Sequence, residues 1–185
     1  MTPTLTLPSL CIAAAACLLA GCSTMTMPAN AFSQASLPAA VQVPPGHRVV
    51  METVGIGNIT YECRAKADAS GQHEWVFIGP DAKLMDRSGQ QVGKYYGPPA
   101  TWESSDGSKL TATQLAVAPG GAGNIPLQLV KGNPATGQGA MQGVSHIQRV
   151  ATQGGVAPNL PCGPAQLGKR QVVKYQADYI FWKAA

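Results

Sequence analysis

Apolar and polar side chains alternate along much of the chain after residue 44, and turn-forming residues interrupt this alternation at close to regular intervals. In residues 59–66 every second side chain is apolar or cysteine, while Glu62 and Arg64 share the opposite face. Residues 173–182 alternate in the same way, with Tyr175 and Tyr179 on the apolar face. A period of two is typical of a strand that buries one face, so both segments are predicted strands.

Shorter segments with the same pattern bring the predicted strands to about ten. Turn-forming pairs such as Asp106-Gly107 lie between them, and no long window after Pro45 shows the period of a helix. The predicted fold is therefore all-β, a single antiparallel β-sandwich or barrel of about ten short strands over residues 44–185. The shorter segments are residues 48–54, 74–78, 83–86, 91–96, 101–104, 109–118, 125–131 and 144–151.

The beginning of the chain resembles an export signal. Residues 10–20 are uncharged and apolar or small. They are too short to cross a bilayer, which needs about 20 apolar residues, but they suit the core of a signal peptide. Leu-Ala-Gly-Cys at residues 19–22 resembles the lipobox of bacterial lipoproteins. The sequence therefore predicts a lipoprotein signal peptide at residues 1–21 and lipidation at Cys22.

Acyl chains such as palmitate on Cys22 would hold the protein to a membrane. Ser23 follows the cysteine, which by the sorting rules of enteric bacteria favours the outer membrane. We therefore expect a lipid-anchored protein of the bacterial cell envelope that faces the periplasm. The first nine residues contain no Lys or Arg, which normally orient a signal peptide, so an unusual or misassigned start of the chain is an open alternative. A plain secretory signal that is cut near the same place is another.

Residues 22–43 contain no charge and are rich in Ser, Ala and Pro. This composition buries too little apolar surface to offset the entropy cost of ordering the backbone. The sequence therefore predicts a flexible, disordered tether over residues 22–43, with the β-rich domain beginning near Pro44.

The cysteine content fits an exported domain. Of five cysteines, two lie in the predicted signal peptide and Cys22 is the predicted lipidation site, which leaves Cys63 and Cys162. Two thiols in an oxidising compartment most simply form one disulfide. A reactive cysteine is the alternative.

The positive charges are scattered although the net charge is +4, and Lys169 and Arg170 are the one adjacent pair. Nucleic-acid binding needs a clustered basic surface, so no nucleic-acid partner is expected. The three histidines are far apart and show no metal-binding spacing, so no metal site is expected. The Gly-rich residues 119–124 and 132–139 lack the Gly-Lys-Ser/Thr ending of a phosphate-binding loop, so no cofactor is expected.

Six short blocks follow one another in the β-rich region: Tyr-Glu-Cys-Arg at 61–64, Glu-Trp-Val-Phe at 74–77, Gly-Pro-Pro-Ala-Thr-Trp-Glu at 97–103, Ile-Pro-Leu at 125–127, Ile-Gln-Arg-Val at 147–150 and Tyr-Gln-Ala-Asp-Tyr at 175–179. In this order they resemble the domain of unknown function 3455 family, small exported proteins of bacteria and fungi. The resemblance spans about residues 44–183. It implies no biochemical activity. Some fungal members carry a dehydrogenase label, but Gly55-Ile-Gly57 lacks the third glycine of a dinucleotide site.

Polar residues within these blocks are the candidate ligand contacts. Glu62 and Arg64 are expected to pair with Arg149 or Asp178 across the sheet, where a small polar or anionic ligand would bind. Trp102 is a further candidate contact, as a residue that lines a sugar or lipid groove, and a core position is its alternative. An ordinary ion pair on a solvated sheet face is the alternative for the charged residues.

His146 is the one candidate base among these residues. With a carboxylate such as Glu103 or Asp106, it would give a hydrolase or lyase of the cell envelope. A structural histidine is the alternative. The favoured prediction is a non-catalytic domain, anchored to the membrane by lipid, that binds a small ligand or an envelope partner, with Glu62, Arg64, Trp102, Arg149, His146 and Asp178 as candidate contacts.

Overall fold

The computed structural model describes Met1 and residues 32–185. Apart from Met1, the predicted signal peptide therefore lies outside the described residues. So do Cys22 and residues 23–31 of the predicted tether. Residues 32–185 form one compact unit. None of the helices in this described part is long and apolar enough to span a membrane.

Eight antiparallel strands pair in the order of the sequence, and the first strand also pairs with the last, so that the sheet closes into a barrel. Closure gives each of the eight described strands a neighbour on both sides. The predicted all-β antiparallel class is confirmed. The strands are β1 (His47–Ala65), β2 (His73–Met85), β3 (Gln91–Tyr96), β4 (Thr101–Ser104), β5 (Lys109–Ala118), β6 (Leu127–Gly132), β7 (Val144–Gly154) and β8 (Arg170–Ala184).

The strand count is eight because β1 and β2 each join two segments that the sequence predicted as separate strands. Gly55 and Gly57 do not interrupt β1. A side chain at Gly55 would collide with the ring of Tyr179, and one at Gly57 would collide with the backbone of β2. Glycine within a strand permits such close approach. Pro80 stays within β2 beside a register shift in its pairing with β1.

The interior of the barrel is filled by a hydrophobic cluster to which all eight strands contribute. The predicted alternation of the last strand is confirmed. Tyr175, Tyr179 and Phe181 belong to the interior cluster, while Ile180 and Trp182 belong to a second cluster on the outer surface.

The loop at residues 133–143 closes the end of the barrel at which β7 begins. Met141 is fully buried in the interior cluster. The carboxylate of Asp106 fixes this loop because it accepts hydrogen bonds from the Ser108 hydroxyl (2.6 Å), the Ser108 amide (2.9 Å) and the Ala140 amide (2.8 Å). These hydrogen bonds, that of the Ser108 hydroxyl first, lower the pKa of Asp106 to about 2.

Residues 32–43, which we call the strap, lie against the outer surface of the barrel. Val41 and Val43 are 0% and 3% exposed, and a short 3-10 helix (Ala39–Val41) lies within the strap. The strap covers an outer apolar patch of the barrel formed by Ala118, Leu129, Val150, Ile180 and Trp182. Residues 32–43, which the sequence assigned to a disordered tether, pack against this patch because a few apolar side chains suffice where the barrel offers an apolar surface.

A buried glutamine of β7 holds the strap. The side chain of Gln148 is 0% exposed, and its Nε2 donates hydrogen bonds to the carbonyl oxygen of Val41 (2.7 Å) and to Oε1 of Gln34 (3.0 Å). Its Oε1 accepts a hydrogen bond from Nε1 of Trp182 (2.9 Å). Gln34 in turn exchanges two hydrogen bonds with the backbone of Val43 (2.8 Å each).

Cys63 and Cys162 form a disulfide, as the cysteine content predicted. Cys63 lies near the end of β1, and its backbone also exchanges hydrogen bonds with Gly168 and Lys169. The disulfide therefore fastens the long loop before β8 to the barrel.

Candidate functional site

The six residues proposed as ligand contacts do not form a single site. Glu62, Arg64, Asp178 and His146 lie on the outer surface of the barrel. Trp102 and Arg149 instead face its interior.

Glu62 pairs with arginines on the outer surface. Its two carboxylate oxygens each accept a hydrogen bond of 2.8 Å, one from Nε of Arg64 and one from Nε of Arg170. These hydrogen bonds, that from Arg64 first, lower the pKa of Glu62. The expected pairing of Glu62 with Arg149 or Asp178 is thus wrong, because Arg170 stands directly opposite Glu62 in the β1–β8 pairing.

Asp178 belongs to a different group of charges. Nη2 of Arg87 lies 2.8 Å from Oδ2 of Asp178 and 3.0 Å from Oε2 of Glu52. The hydrogen bond that Arg87 donates to Asp178 is the main cause of the raised pKa of Arg87. Both acidic groups therefore share one arginine on the protein surface.

His146 has no carboxylate among its hydrogen-bond partners in the described part of the chain. Its Nδ1 lies 3.1 Å from the hydroxyl of Ser145, and its ring packs edge-on against His47 with centroids 4.7 Å apart. Burial, and then the nearby charges of His47 and Lys131, lower the pKa of His146. This surrounding keeps the imidazole neutral but gives it no acidic group to orient it.

The two carboxylates proposed to work with His146 are engaged elsewhere. Glu103 accepts a hydrogen bond from the Tyr96 hydroxyl (2.7 Å) and pairs with Lys94 (3.2 Å). Asp106 holds the turn before β5. The structure therefore does not bring together the acid and base that the alternative enzymatic prediction requires.

Trp102 lies deep in the barrel at 2% exposure. Its ring stacks on Tyr95 at a centroid distance of 4.5 Å and meets the edge of Tyr179 at 5.9 Å. Within the described residues its Nε1 has no hydrogen-bond partner. Trp102 is thus a core residue of the barrel interior.

Arg149 stands in a row of directly opposed residues that crosses five strands. Val117 on β5 faces Gln128, Gln128 faces Arg149, Arg149 faces Tyr179 and Tyr179 faces Thr53 on β1. Opposed residues on neighbouring strands project to the same side of a sheet. Because Tyr179 is in the interior cluster, the whole row faces the interior. Exposure falls from 47% at Val117 to 0% at Tyr179 and Thr53, so Arg149 lies between solvent and core.

The guanidinium group of Arg149 retains free donors in the described structure. Nε and Nη2 donate to the carbonyl oxygen of Pro126 at 3.1 and 2.9 Å. An arginine has five N–H donors. None of the ion pairs within residues 32–185 includes Arg149. Its positive charge is therefore available to an anion.

The positive charge of Arg149 acts on four interior tyrosines, of which Tyr179 is directly opposite it. Burial raises the pKa of Tyr61, Tyr95, Tyr175 and Tyr179, and the positive charge of Arg149 partly offsets this increase in each of them. The hydroxyls of Tyr175 and Tyr179 lie 3.2 Å apart. The tyrosines stay neutral and act as hydrogen-bonding groups beside a single cation.

Apolar side chains also face inward at this end of the barrel. Phe77 is directly opposite Tyr61, and their rings meet edge-on at 6.0 Å, but Phe77 remains 51% exposed. The Tyr61 hydroxyl donates to the carbonyl oxygen of Gly155 (2.8 Å). We call the inward-facing set of Tyr61, Phe77, Val117, Gln128 and Arg149 the Arg149 mouth.

The blocks that carry the family resemblance converge on the Arg149 mouth. Each of them supplies a residue that lines the mouth, contacts Arg149 or packs beneath it. These residues are Tyr61, Phe77, Trp102, Pro126, Arg149 and Tyr179.

Two other kinds of site, a surface groove and a metal site, do not include the predicted contacts in the described part of the chain. An open groove of about 480 Å³ on the outer face is lined by Ile56, Asn58, Lys174 and Gln176 among others, and it contains none of the predicted contacts. No group of three or more His, Cys, Asp or Glu residues in the described part is arranged to hold a metal ion.

The fold and the Arg149 mouth define a disulfide-linked, all-β barrel domain with a cation at one end. A family model described as "Protein of unknown function (DUF3455)" matches residues 44–183, which is more than half of the chain. The chain belongs to this family. No curated protein and no solved structure matches it.

Proposed function

We propose that this chain is an exported, lipid-anchored protein of the bacterial cell envelope, in the outer membrane and facing the periplasm, and that it binds a small polar or anionic ligand at the Arg149 mouth without transforming it. The lipobox ending at Cys22 supports the anchor. The disulfide between Cys63 and Cys162 supports an oxidising compartment, because such bonds are rare in reducing ones.

The observation that carries the binding proposal is the position of Arg149. Its guanidinium group faces the interior of a barrel, has no carboxylate partner among residues 32–185, and keeps N–H donors that Pro126 does not use. A planar guanidinium group binds a carboxylate or phosphate through two parallel hydrogen bonds. An unpaired cation in a partly buried position is therefore best explained by an anionic ligand.

Binding is favoured over catalysis because the candidate acid and base groups are separate. His146 contacts Ser145 and His47, Glu103 contacts Tyr96 and Lys94, and neither contacts the mouth.

Mass spectrometry of the protein purified from membranes tests the anchor. We expect a mature amino terminus at Cys22 carrying acyl chains, and loss of membrane association in Cys22→Ser. An unmodified amino terminus upstream of Cys22 would contradict the anchor.

An NMR titration tests ligand binding. The chain from Ser23 onward contains the whole compact unit, and it is titrated with acetate, inorganic phosphate and decanoate. We expect saturable shifts at the Arg149 mouth with at least one probe, lost in Arg149→Gln and retained in Arg64→Gln, which changes an outer-surface arginine. No saturable shift with any probe, or shifts centred on Glu62 and Arg170, would refute the site.

A further inference from the structure

The geometry points to an amphiphile as the ligand class of the Arg149 mouth: one anionic group bound by Arg149, joined to an apolar body that covers Val117 and Phe77. This inference rests on the proposed function and makes its ligand more specific.

The apolar half of the ligand is indicated by two exposed side chains. Val117 and Phe77 face the interior by their pairing, yet they are 47% and 51% exposed. Apolar side chains that face inward are normally buried, and exposed ones grouped beside polar residues mark binding surfaces. Gln128 lies between Val117 and Arg149 in the row of opposed residues, and the ring of Phe77 contacts that of Tyr61.

The anionic half is indicated by the charge of the site. Arg149 is the one cation that acts on all four of Tyr61, Tyr95, Tyr175 and Tyr179 in the described structure. A single cation matches a single negative charge, and the neighbouring amides of Gln128 and Gln114, which are hydrogen-bonded at 2.6 Å, add neutral polar groups. Inorganic phosphate carries more charge than this site neutralises, and it has no apolar part.

Binding affinities of matched probes test the inference. Decanoate and acetate share a carboxylate and differ in their apolar chain. Burying two methylenes is enough for about a tenfold gain in affinity. We expect decanoate to bind the chain from Ser23 onward at least about tenfold more tightly than acetate.

Substitutions of Phe77 and Val117 then test whether these side chains provide the higher affinity for decanoate. The double variant Phe77→Ser with Val117→Ser is expected to lower decanoate affinity to that of acetate. Both side chains are about half exposed, so the fold tolerates the change. Val172→Ser is the matched control, because Val172 is 61% exposed but projects outward.

Arg149→Lys keeps the charge and removes the planar group. This variant is expected to lower the affinities for decanoate and acetate by a similar factor, because both ligands use the same anion contact. Decanol, which lacks the charge, is expected to bind more weakly than decanoate by about tenfold or more.

The outcomes separate this inference from the proposed function. If acetate or phosphate binds at Arg149 as tightly as decanoate, the amphiphile is refuted while the anion site stands. If no probe binds, both fail. Co-sedimentation with phosphatidylglycerol vesicles that depends on Arg149, Phe77 and Val117 would show that the amphiphile is drawn from a bilayer. Decanoate binding without co-sedimentation would show that the amphiphile is free in solution. Either result supports the inference.

Discussion

Replacing Gln148 by alanine is expected to release the strap from the barrel. The Gln148 side chain makes three hydrogen bonds, two as donor to Val41 and Gln34 and one as acceptor from Trp182. All of this lies in a region from which water is excluded, because Gln148 and Val41 are both 0% exposed. The side chain therefore connects a segment distant in sequence to β7 and β8.

The cost follows from the groups left without a partner. Alanine leaves the Val41 carbonyl and the Trp182 N–H buried and unpaired, while Gln34 keeps its hydrogen bonds to Val43. Each unsatisfied buried group costs about 1 to 3 kcal/mol. The expected loss in the free energy of unfolding is therefore about 2 to 5 kcal/mol, which lowers the urea midpoint by about 1 to 3 M.

The isosteric variant Gln148→Glu separates hydrogen bonding from volume. It places a carboxylate oxygen where an N–H donor faced two acceptors. The free energy of unfolding of this variant should therefore fall by more than that of the alanine variant at neutral pH. Urea unfolding and limited proteolysis of residues 32–43 are the assays, with Gln153→Ala, an exposed position on β7, as the control. A free energy of unfolding within about 0.5 kcal/mol of that of the unsubstituted protein, with the strap still resistant to protease, would refute the role of Gln148.

Three further predictions concern other parts of the barrel. The pKa of Asp106 is lowered from 3.8 to about 2 in the fold, so its stabilising contribution is complete above pH 4 and is lost as pH falls toward 2. The difference in urea midpoint between the unsubstituted protein and Asp106→Ala should therefore become smaller over this range. A difference that stays constant with pH would contradict this prediction. Gly57→Ala should lower the melting temperature by overlap with the backbone of β2, whereas Gly163→Ala, which meets no atom closer than 3.5 Å, should not; equal effects in thermal melts would contradict this account. Replacing Cys63 and Cys162 by alanine opens a loop with a separation of 99 residues and should cost about 4 to 5 kcal/mol by the loss of chain-entropy restriction, measured by urea unfolding; no change on substitution or reduction would show that the disulfide does not stabilise the fold.

Alternation alone identified the strands and the inward face of β8, because burial of one face of a sheet leaves a direct pattern in the sequence. It failed at Gly55, Gly57 and Pro80, which lie between segments that were predicted as separate strands and are continuous in β1 and β2. Their role depends on what approaches them across the sheet, namely the ring of Tyr179 and the backbone of β2, and local sequence carries no record of this.

The strap was missed for a related reason. Its composition is poor in large apolar residues, and composition is all that local reasoning weighs. The strap is ordered because Val41 and Val43 meet an apolar patch on β5 to β8 and because Gln148 is buried beneath it. These contacts join positions more than 100 residues apart.

The candidate site was predicted in part. Arg149 and Trp102 were selected from the sequence, but Arg149 was grouped with Glu62, which the structure places on the outer surface with Arg64 and Arg170. Arg149 has the same parity as Ile147 on β7, and Ile147 is buried in the interior cluster, so strict alternation would have placed Arg149 inside. Phe77 and Val117 were missed, because their exposure becomes evident only once the barrel closes.

The side-chain Nε–H signal of Arg149 in a ¹H–¹⁵N NMR spectrum, assigned by its disappearance in Arg149→Lys, tests the central claim most directly. During titration with decanoate this signal should shift and saturate together with the backbone amides of Gln128 and Val117. A signal that stays in place while decanoate binds elsewhere on the protein would contradict an anion site at the Arg149 mouth.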